Sequence, residues 1–297
     1  MTDLARVFAA DREAVDRALV DLAARETGAL APPVGDAIRY SLEGGGKRLR
    51  AVLFLAAYRA AGGERDASAL AAAIEVVHAY SLVHDDLPCM DDDDMRRGRP
   101  TVHRAFGVAA ATAAGVAMVP LAARAAAGAA AAMGLDRAIG ARVVEELMRA
   151  SGAGGMVGGQ LLDLEGEGKA HSVADLERIH RAKTGALIAS AVLLGGLAAG
   201  ATEAQLDALE RFGQSVGLAF QIADDVLDVT ATTDELGKTA GKDQAFGKST
   251  YPALLGIDGA VAKADALVVA GCQALDRRGL LTPALDSLAR FIIARRS

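Results

Sequence analysis

The sequence contains no tryptophan, and aromatic residues make up only 4% of it. It also has few segments in which β-branched and polar residues alternate, the pattern of a half-buried strand. Alanine is abundant instead, and alanine is the best helix former because it loses no side-chain entropy on ordering. Hydrophobic residues account for 52% of the 297 positions, which is ordinary for a globular chain with a sizeable core. We therefore predict an all-α fold.

Cysteine and positive charge are also scarce, and both shortages exclude classes of protein. The two cysteines, Cys89 and Cys272, cannot form a disulfide framework and suit a reducing compartment, so we expect a cytoplasmic protein. The formal net charge of −6 argues against a nucleic-acid-binding protein. Acidic and basic residues are mixed throughout the first 25 positions, which predicts no signal peptide there.

No linker, low-complexity tail or short repeat interrupts the chain, so we predict one domain over residues 1–297. Helices are expected around 3–25, 34–43, 48–61, 66–87, 105–132, 136–151, 172–199, 202–230, 250–257, 261–278 and 283–295. Long helices with short connections predict a single bundle, which can enclose a deep central cavity. Two uncharged stretches, Ala105–Ala123 and Gly185–Ala201, approach membrane-spanning length. We expect both to be buried core helices, with no stable membrane insertion.

Two clusters of aspartates follow apolar helical segments. The clusters are Asp85, Asp86 and Asp91–Asp94 in the first half, and Asp224, Asp225 and Asp228 in the second. Asp224 and Asp228 are four residues apart and share a helix face, whereas Pro88 predicts an irregular turn in the first cluster. Carboxylates crowded at buried helices are unfavourable unless cations join them. Hard oxygen ligands of this kind predict Mg²⁺ together with substrate phosphate oxygens.

Several compact basic motifs accompany the aspartates. They comprise Lys47 and Arg50 after a glycine turn, Arg96, Arg97 and Arg99, and the separate residues Lys183, Lys238 and Lys248. Each alone is most simply a surface cation, and the glycine turn lacks P-loop spacing. Their occurrence together with two metal-type clusters predicts a site for diphosphate groups.

At this point the motifs resemble those of a known family. They are GGGKRLR at 44–50, HAYSLVHDDLPCMDDDDMRRGRPTVH at 78–103, GGQLLDLEGEG at 158–168, KTGALI at 183–188, FQIADDVLD at 220–228, LGKTAGKD at 236–243 and GKSTYPALLG at 247–256. In this order they are similar to trans-isoprenyl diphosphate synthases of the bacterial farnesyl diphosphate synthase type. The resemblance extends from about Gly44 to the C-terminal segment.

The resemblance implies a homodimeric prenyltransferase with an all-α fold. It would condense isopentenyl diphosphate with dimethylallyl or geranyl diphosphate to farnesyl diphosphate, with three Mg²⁺ ions in each site. The implied metal ligands are Asp85, Asp86, Asp91, Asp224, Asp225 and Asp228.

The same resemblance implies a role for each substrate-binding residue. The allylic diphosphate would contact Arg96, Lys183, Lys238 and Lys248, and isopentenyl diphosphate would contact Lys47, Arg50, His78 and Arg97. Thr184 and Gln221 would stabilise the allylic carbocation with their dipoles, with Lys183 beside them. Tyr80 and Ser81 would limit the length of the product, and an aromatic residue at position 80 favours fifteen carbons.

One segment departs from the family pattern. Acidic residues are expected where Val108 and Val116 stand, and Pro120 interrupts the helix. If residues 108–120 line the cavity, smaller side chains predict a longer product or slower turnover. Three alternatives stay open: a geranylgeranyl diphosphate synthase, suggested by Cys89, a non-catalytic subunit of a heteromeric synthase, and a terpene cyclase. A cyclase has no need of the Lys47, Arg50 and Arg97 site.

Overall fold

The computed structural model describes residues 3–166, 168–230 and 249–294, in which helices dominate. The helices are α1 Asp3–Thr27, α2 Pro32–Leu42, α3 Leu49–Ala60, α4 Ser68–Asp85, α5 Val102–Phe106, α6 Val108–Ala132, α7 Arg137–Ser151, α8 Met156–Gly166, α9 Val173–His180, a π-helical turn Arg181–Gly185, α10 Ala186–Ala199, α11 Glu203–Thr230, α12 Tyr251–Asp276 and α13 Pro283–Ala294. A short antiparallel hairpin pairs β1 Met95–Arg96 with β2 Arg99–Pro100. The predicted all-α fold is confirmed.

Contacts between residues group the chain into two units. The first comprises Met1–Leu55 and Glu64–Val144, and the second comprises Ala56–Gly63 and Glu145–Ser297. In the first unit α4 packs along α6 and against α1, so both long faces of α4 are covered. In the second unit α11 packs along α10 and α12, while α8 packs on the π-helical turn. Each unit carries one aspartate motif.

Local sequence explains where several helices begin and end. Ser172 caps α9 through a capping box, because its hydroxyl accepts from the Asp175 N–H and the Asp175 side chain accepts from the Ser172 N–H. Pro32 stands in the first turn of α2, where its missing N–H costs nothing. α10 ends at Gly200, which adopts the left-handed conformation that glycine tolerates.

The two apolar helical stretches differ in burial. Within Val173–Ala199, an 18-residue window has a mean hydropathy of 1.6 and is 67% buried, so the expectation of a core helix is confirmed there. In α6 an 18-residue window has a mean hydropathy of 1.5 but is only 33% buried, so the expectation of a buried core helix is wrong for most of its surface and holds for one face. The reason is that elements of the described chain cover only one side of α6, where it packs on α4, α2 and α5, and its other side is left exposed.

Candidate functional site

The first aspartate motif begins where α4 ends, at Asp85. Asp86 is the C-cap, and Pro88 follows at a position where an ordinary helix cannot continue. The chain then turns back, so that the Asp91 N–H donates to the carbonyl of Asp85 across 2.9 Å. The predicted irregular turn is therefore present. It brings two half-buried carboxylates, Asp85 and Asp91, to neighbouring backbone positions.

Asp86 lies inside the motif and forms an ion pair with Arg96 from the hairpin. The Arg96 guanidinium donates to one Asp86 oxygen across 2.7 Å from Nε and 2.6 Å from Nη2, and it lies 3.7 Å from Asp93. Burial raises the pKa of Asp86 despite the bond to Arg96. Burial, the largest single effect, would lower the pKa of Arg96. The hydrogen bond to Asp86 and the negative charges of Asp86, Asp93 and Asp85 together outweigh it, so the pKa is raised. Asp86 and Arg96, implied ligands of metal and diphosphate, are thus held together.

A small cavity of ≈ 50 Å³ lies in the first unit between the end of α2, α4 and the hairpin. Its polar lining combines basic and acidic side chains: Arg48, Glu75, His78, Asp86, Arg96, Arg97 and Arg99. Four guanidinium groups face two carboxylates there, so the cavity is suited to an additional anion. We refer to it below as the basic cavity.

The glycine turn after α2 forms one side of the basic cavity. Gly45 and Gly46 have positive φ angles of 71° and 138°, which few other residues adopt. The Arg97 guanidinium donates to the carbonyl of Gly45, and it lies so close to Gly46 that a Cβ there would collide with it. Two motifs about fifty residues apart in sequence therefore meet, as the assignment of Arg97 to the same site as the turn requires.

His78 contributes a neutral ring to the basic cavity. Burial and then the charges of Arg50, Arg97, Arg96 and Arg48 hold its pKa well below its usual value. An uncharged imidazole can donate a hydrogen bond to a phosphate without adding to the crowded positive charge.

Lys47 and Arg50 stand at the entrance of α3, next to the basic cavity. Lys47 is exposed, and Arg50 lies in the first turn of the helix. The described residues that line the cavity include Arg48 from this segment, but not Lys47 or Arg50. The structure thus brings Arg97 and His78 to one cavity and leaves Lys47 and Arg50 beside it.

The two predicted chain-length residues on α4 have different partners. The Tyr80 ring is half-buried and stands edge-on to His84, with 5.3 Å between ring centroids. Burial and the charge of Asp85 raise the pKa of Tyr80. The Ser81 hydroxyl donates to the His78 carbonyl across 2.9 Å, which turns it toward its own helix. Of the pair, Tyr80 is the one with bulk to limit a product.

In the second unit, a chain of hydrogen bonds joins the π-helical turn to the second aspartate motif. The Thr184 hydroxyl donates to Oε1 of Gln221 across 2.9 Å. Nε2 of Gln221 donates to Oδ1 of Asp225 across 3.3 Å, and the Tyr251 N–H donates to Oδ2 of Asp225 across 3.0 Å. The structure therefore places Thr184 and Gln221, predicted to act together, in direct contact. Asp225 and Asp228 are buried, and Asp224 is half-buried.

Lys183 from the same turn forms an ion pair with Asp163 of α8, with 2.5 Å between Nζ and Oδ2. Glycine makes this approach possible, because a Cβ at Gly159 would collide with the Lys183 backbone. Gly217 has the same role on the other side, where its Cβ would lie 2.8 Å from the Cα of Gly185. The remaining predicted lysines, Lys238 and Lys248, lie outside the described residues.

The donor sets fit magnesium only with help from a substrate. Among the residues that the structure describes, no three acidic, histidine or cysteine side chains converge closely enough to hold an ion. Mg²⁺ commonly binds through one or two carboxylates and completes its shell with water and phosphate oxygens. Asp85 and Asp91, whose backbones are joined by a hydrogen bond, are the two carboxylates of the first motif that could supply such a pair.

Four residues of these networks were not singled out by their sequence pattern: Arg48, Glu75, Asp163 and Tyr251. Glu75 is a lone charge in an otherwise apolar stretch of α4 and is 2% exposed. A charge buried in this way needs a partner, and that was the available signal. Asp163 lies in the GGQLLDLEGEG motif, whereas Tyr251 acts through its backbone N–H, for which sequence carries no signal.

Helices that carry acidic motifs beside basic residues define the class of isoprenoid synthases. The chain belongs to the polyprenyl synthetase family, whose sequence pattern matches residues 32–273. It is 48% identical over 268 residues to farnesyl diphosphate synthase of Escherichia coli, a match covering 89% of each chain.

Solved structures of prenyl synthases are similar to this chain over nearly its whole length. An FPP/GFPP synthase from Zymomonas mobilis superposes with a TM-score of 0.85 and 34% identity, covering 98% of this chain and 99% of that one. A geranyltransferase from Helicobacter pylori, solved with magnesium and isoprenyl diphosphate, superposes with a TM-score of 0.82 and 29% identity over 99% and 97%.

Proposed function

We propose that this protein is a prenyltransferase that condenses isopentenyl diphosphate with dimethylallyl and geranyl diphosphates to farnesyl diphosphate. The observation that carries the proposal is the basic cavity, where Arg97, the glycine turn and neutral His78 meet beside the Asp86–Arg96 pair. Such a cavity suits the diphosphate of a substrate that needs no metal bridge. The farnesyl diphosphate synthases among its relatives supply the substrate class.

We assign Mg²⁺ to the two aspartate motifs. Asp85, Asp86 and Asp91, with Asp224, Asp225 and Asp228, would hold up to three ions, which when bound supply Lewis-acid stabilisation to a departing diphosphate. Arg96 and Lys183, with Lys238 and Lys248, add fixed positive charge to the same group. Asp86 and Asp225 already accept hydrogen bonds from protein donors, so they serve first by orienting Arg96 and Gln221.

The remaining steps use residues that polarise and do not react. Lys47, Arg50, His78 and Arg97 hold isopentenyl diphosphate. The bonded pair of Thr184 and Gln221 presents oxygen dipoles to the allylic carbocation without acting as a strong nucleophile. The double bond of isopentenyl diphosphate attacks the cation, and the released diphosphate accepts the proton that is then lost. No side-chain general base is assigned.

We also propose a single cytoplasmic domain that forms a homodimer. The exposed apolar face of α6 supports the homodimer, because Val116 there is 62% exposed. A second copy of the chain is the simplest partner for such a face.

The test is incubation of the purified protein with isopentenyl diphosphate, Mg²⁺ and each allylic starter, followed by mass analysis of the products. We expect the fifteen-carbon diphosphate, and none after the metal is chelated. A twenty-carbon product would identify a geranylgeranyl diphosphate synthase, and no product with any starter would contradict catalysis by this chain alone.

The metal assignment needs a matched pair of variants in one aspartate run. Asp85→Ala should lower turnover by about 100-fold or more while the protein stays folded, because a metal ligand is lost and no core packing. Asp94→Ala is the control: Asp94 is exposed and paired with Arg104 at 2.5 Å. Equal activities of the two variants would refute the assignment of Asp85.

A further inference from the structure

A buried ion pair in the first unit stands directly behind the basic cavity. Arg48 and Glu75 are only 5% and 2% exposed, and both line the cavity. Nη1 of Arg48 lies 3.8 Å from Oε2 of Glu75. Neither residue has a role in the mechanism above, although Arg48 lies between Lys47 and Arg50 in the sequence.

Arg48 fastens the entrance of α3 to two other helices. Its Nε donates to Asp16 of α1 across 2.7 Å, and its Nη2 donates to the carbonyl of Leu42, the last residue of α2, across 2.8 Å. Its own carbonyl accepts from the Val52 N–H at 2.9 Å and so starts the helix. Arg48 has a φ of 49°, a backbone conformation that residues other than glycine rarely adopt unless the surrounding structure imposes it.

Glu75 fastens the same entrance to α4. Arginine has no acceptor atom, so Arg48 cannot cap the free N–H groups of the helix that it begins. Oε1 of Glu75 instead accepts from the Ala51 N–H across 3.1 Å, and its negative charge suits a helix N-terminus. His78 lies one turn further along α4, on the same face as Glu75.

We propose that Arg48 and Glu75 are positioning residues for the isopentenyl diphosphate site. They set the spacing between the turn that carries Lys47 and Arg50 and the face of α4 that carries His78. Stability alone does not require such a pair, because buried ion pairs can often be replaced by apolar residues without loss. This inference rests on the proposed function for the identity of the ligand, whereas the contacts of Arg48 and Glu75 are independent of that identity.

The experiment compares three variants with the wild type. The double variant Arg48→Met/Glu75→Leu removes both charges together, which leaves no unpaired charge in the core and favours folding. Glu75→Gln keeps an acceptor for the Ala51 N–H and loses the ion pair. Arg290→Met is the control, because Arg290 belongs to an exposed pair with Asp286 on α13.

The KM values for isopentenyl and geranyl diphosphates are measured, with melting temperature alongside. The double variant should raise the first KM about tenfold and leave the second within about twofold, with Glu75→Gln intermediate and Arg290→Met unchanged. The affinity for inorganic pyrophosphate without metal, measured by calorimetry, should fall in the same order.

A double variant that folds and keeps both KM values, or raises both equally, overturns the positioning role. Wild-type protein that turns over no prenyl substrate refutes the proposed function, and pyrophosphate affinity then decides the inference by itself. Weakened binding in the double variant supports it. Unchanged binding, or no binding by the wild type, overturns it.

Discussion

Burial, together with the positive charge around the basic cavity, determines the protonation state of a single histidine. Burial and four arginines hold the pKa of His78 below its ordinary value, so the ring is neutral in the folded protein at neutral pH. The unfolded chain places no such charges around it, and there the ring titrates near its ordinary pKa of about 6.5. The folded and unfolded states therefore differ in proton uptake at mildly acidic pH.

This difference predicts the pH dependence of stability. As pH falls below about 6.5, the unfolded chain binds a proton at His78 that the folded protein does not, and the free energy of unfolding falls by up to about 1.4 kcal/mol per pH unit. His78→Asn should reduce that slope, which urea unfolding at several pH values measures. Identical slopes in the variant and the wild type would show that His78 is not the group responsible.

Tyr80 is the residue that we expect to end chain elongation. It lies five residues before Asp85 on α4, a depth of ~7.5 Å that a short prenyl tail reaches. Tyr80→Ala should therefore give products of twenty carbons or more, and Tyr80→Phe, which keeps the ring, should not. Because the ring is half-buried, the loss of stability should stay below the ~3 kcal/mol typical of a buried aromatic. Mass analysis of the products tests this prediction. If the Tyr80→Ala variant is active and its product length is unchanged, another residue must end chain elongation.

At the scale of helices, α6 contacts Tyr80 indirectly, through His84 of α4. His84, which contacts Tyr80, lies 3.2 Å from the Thr112 carbonyl through Nε2. Its ring occupies the space where a Cβ on Gly115 would stand. Val108 and Val116, which stand where the family pattern has acidic residues, are exposed, whereas Gly115 lies against His84 of α4.

Two glycines of α6 make a matched test. Gly128→Ala meets no atom within 4 Å and should stabilise the protein by about 0.5–1 kcal/mol, the usual gain for alanine in a helix. Gly115→Ala offers the same gain but must displace His84, so its net effect should be smaller or destabilising. Urea unfolding measures both. Equal stabilisation would mean that His84 moves freely and does not hold Tyr80 in place.

Periodicity and composition predicted most helices to within a few residues, but they did not locate the breaks that depend on the backbone conformation of a glycine. The expected helix at 105–132 is divided at Gly107, whose φ is 85°. The break expected between the helices at 250–257 and 261–278 is present, but it lies at Gly256, whose φ of 72° and ψ of 164° are not helical. α8 was missed because glycines that allow close packing also weaken helix propensity. The helix expected at 66–87 starts at Ser68, whose N–H donates to the Asp66 carboxylate just before the helix.

The site was predictable where residues belong to motifs and less so where they meet through tertiary packing. Motif order identified Thr184 and Gln221, and the structure adds the bond between them. The ion pair of Lys183 with Asp163 joins residues twenty apart, and its geometry depends on glycine contacts that no pattern records. Sequence thus predicted the reacting groups, and the fold shows which residues contact them.

At the scale of the whole molecule, the exposed face of α6 needs a partner. An apolar helix that is only 33% buried in one chain is unfavourable in water, and the proposed homodimer would cover it. Light scattering should therefore give a dimer mass for the wild type. Val116→Glu places a charge in the centre of that face, where Val116 is 62% exposed, and should shift the protein toward monomer at micromolar concentration. Val20→Glu, the same change at an exposed valine of α1, should not. A monomeric wild type would contradict the homodimer, and equal masses for both variants would place the interface on another face.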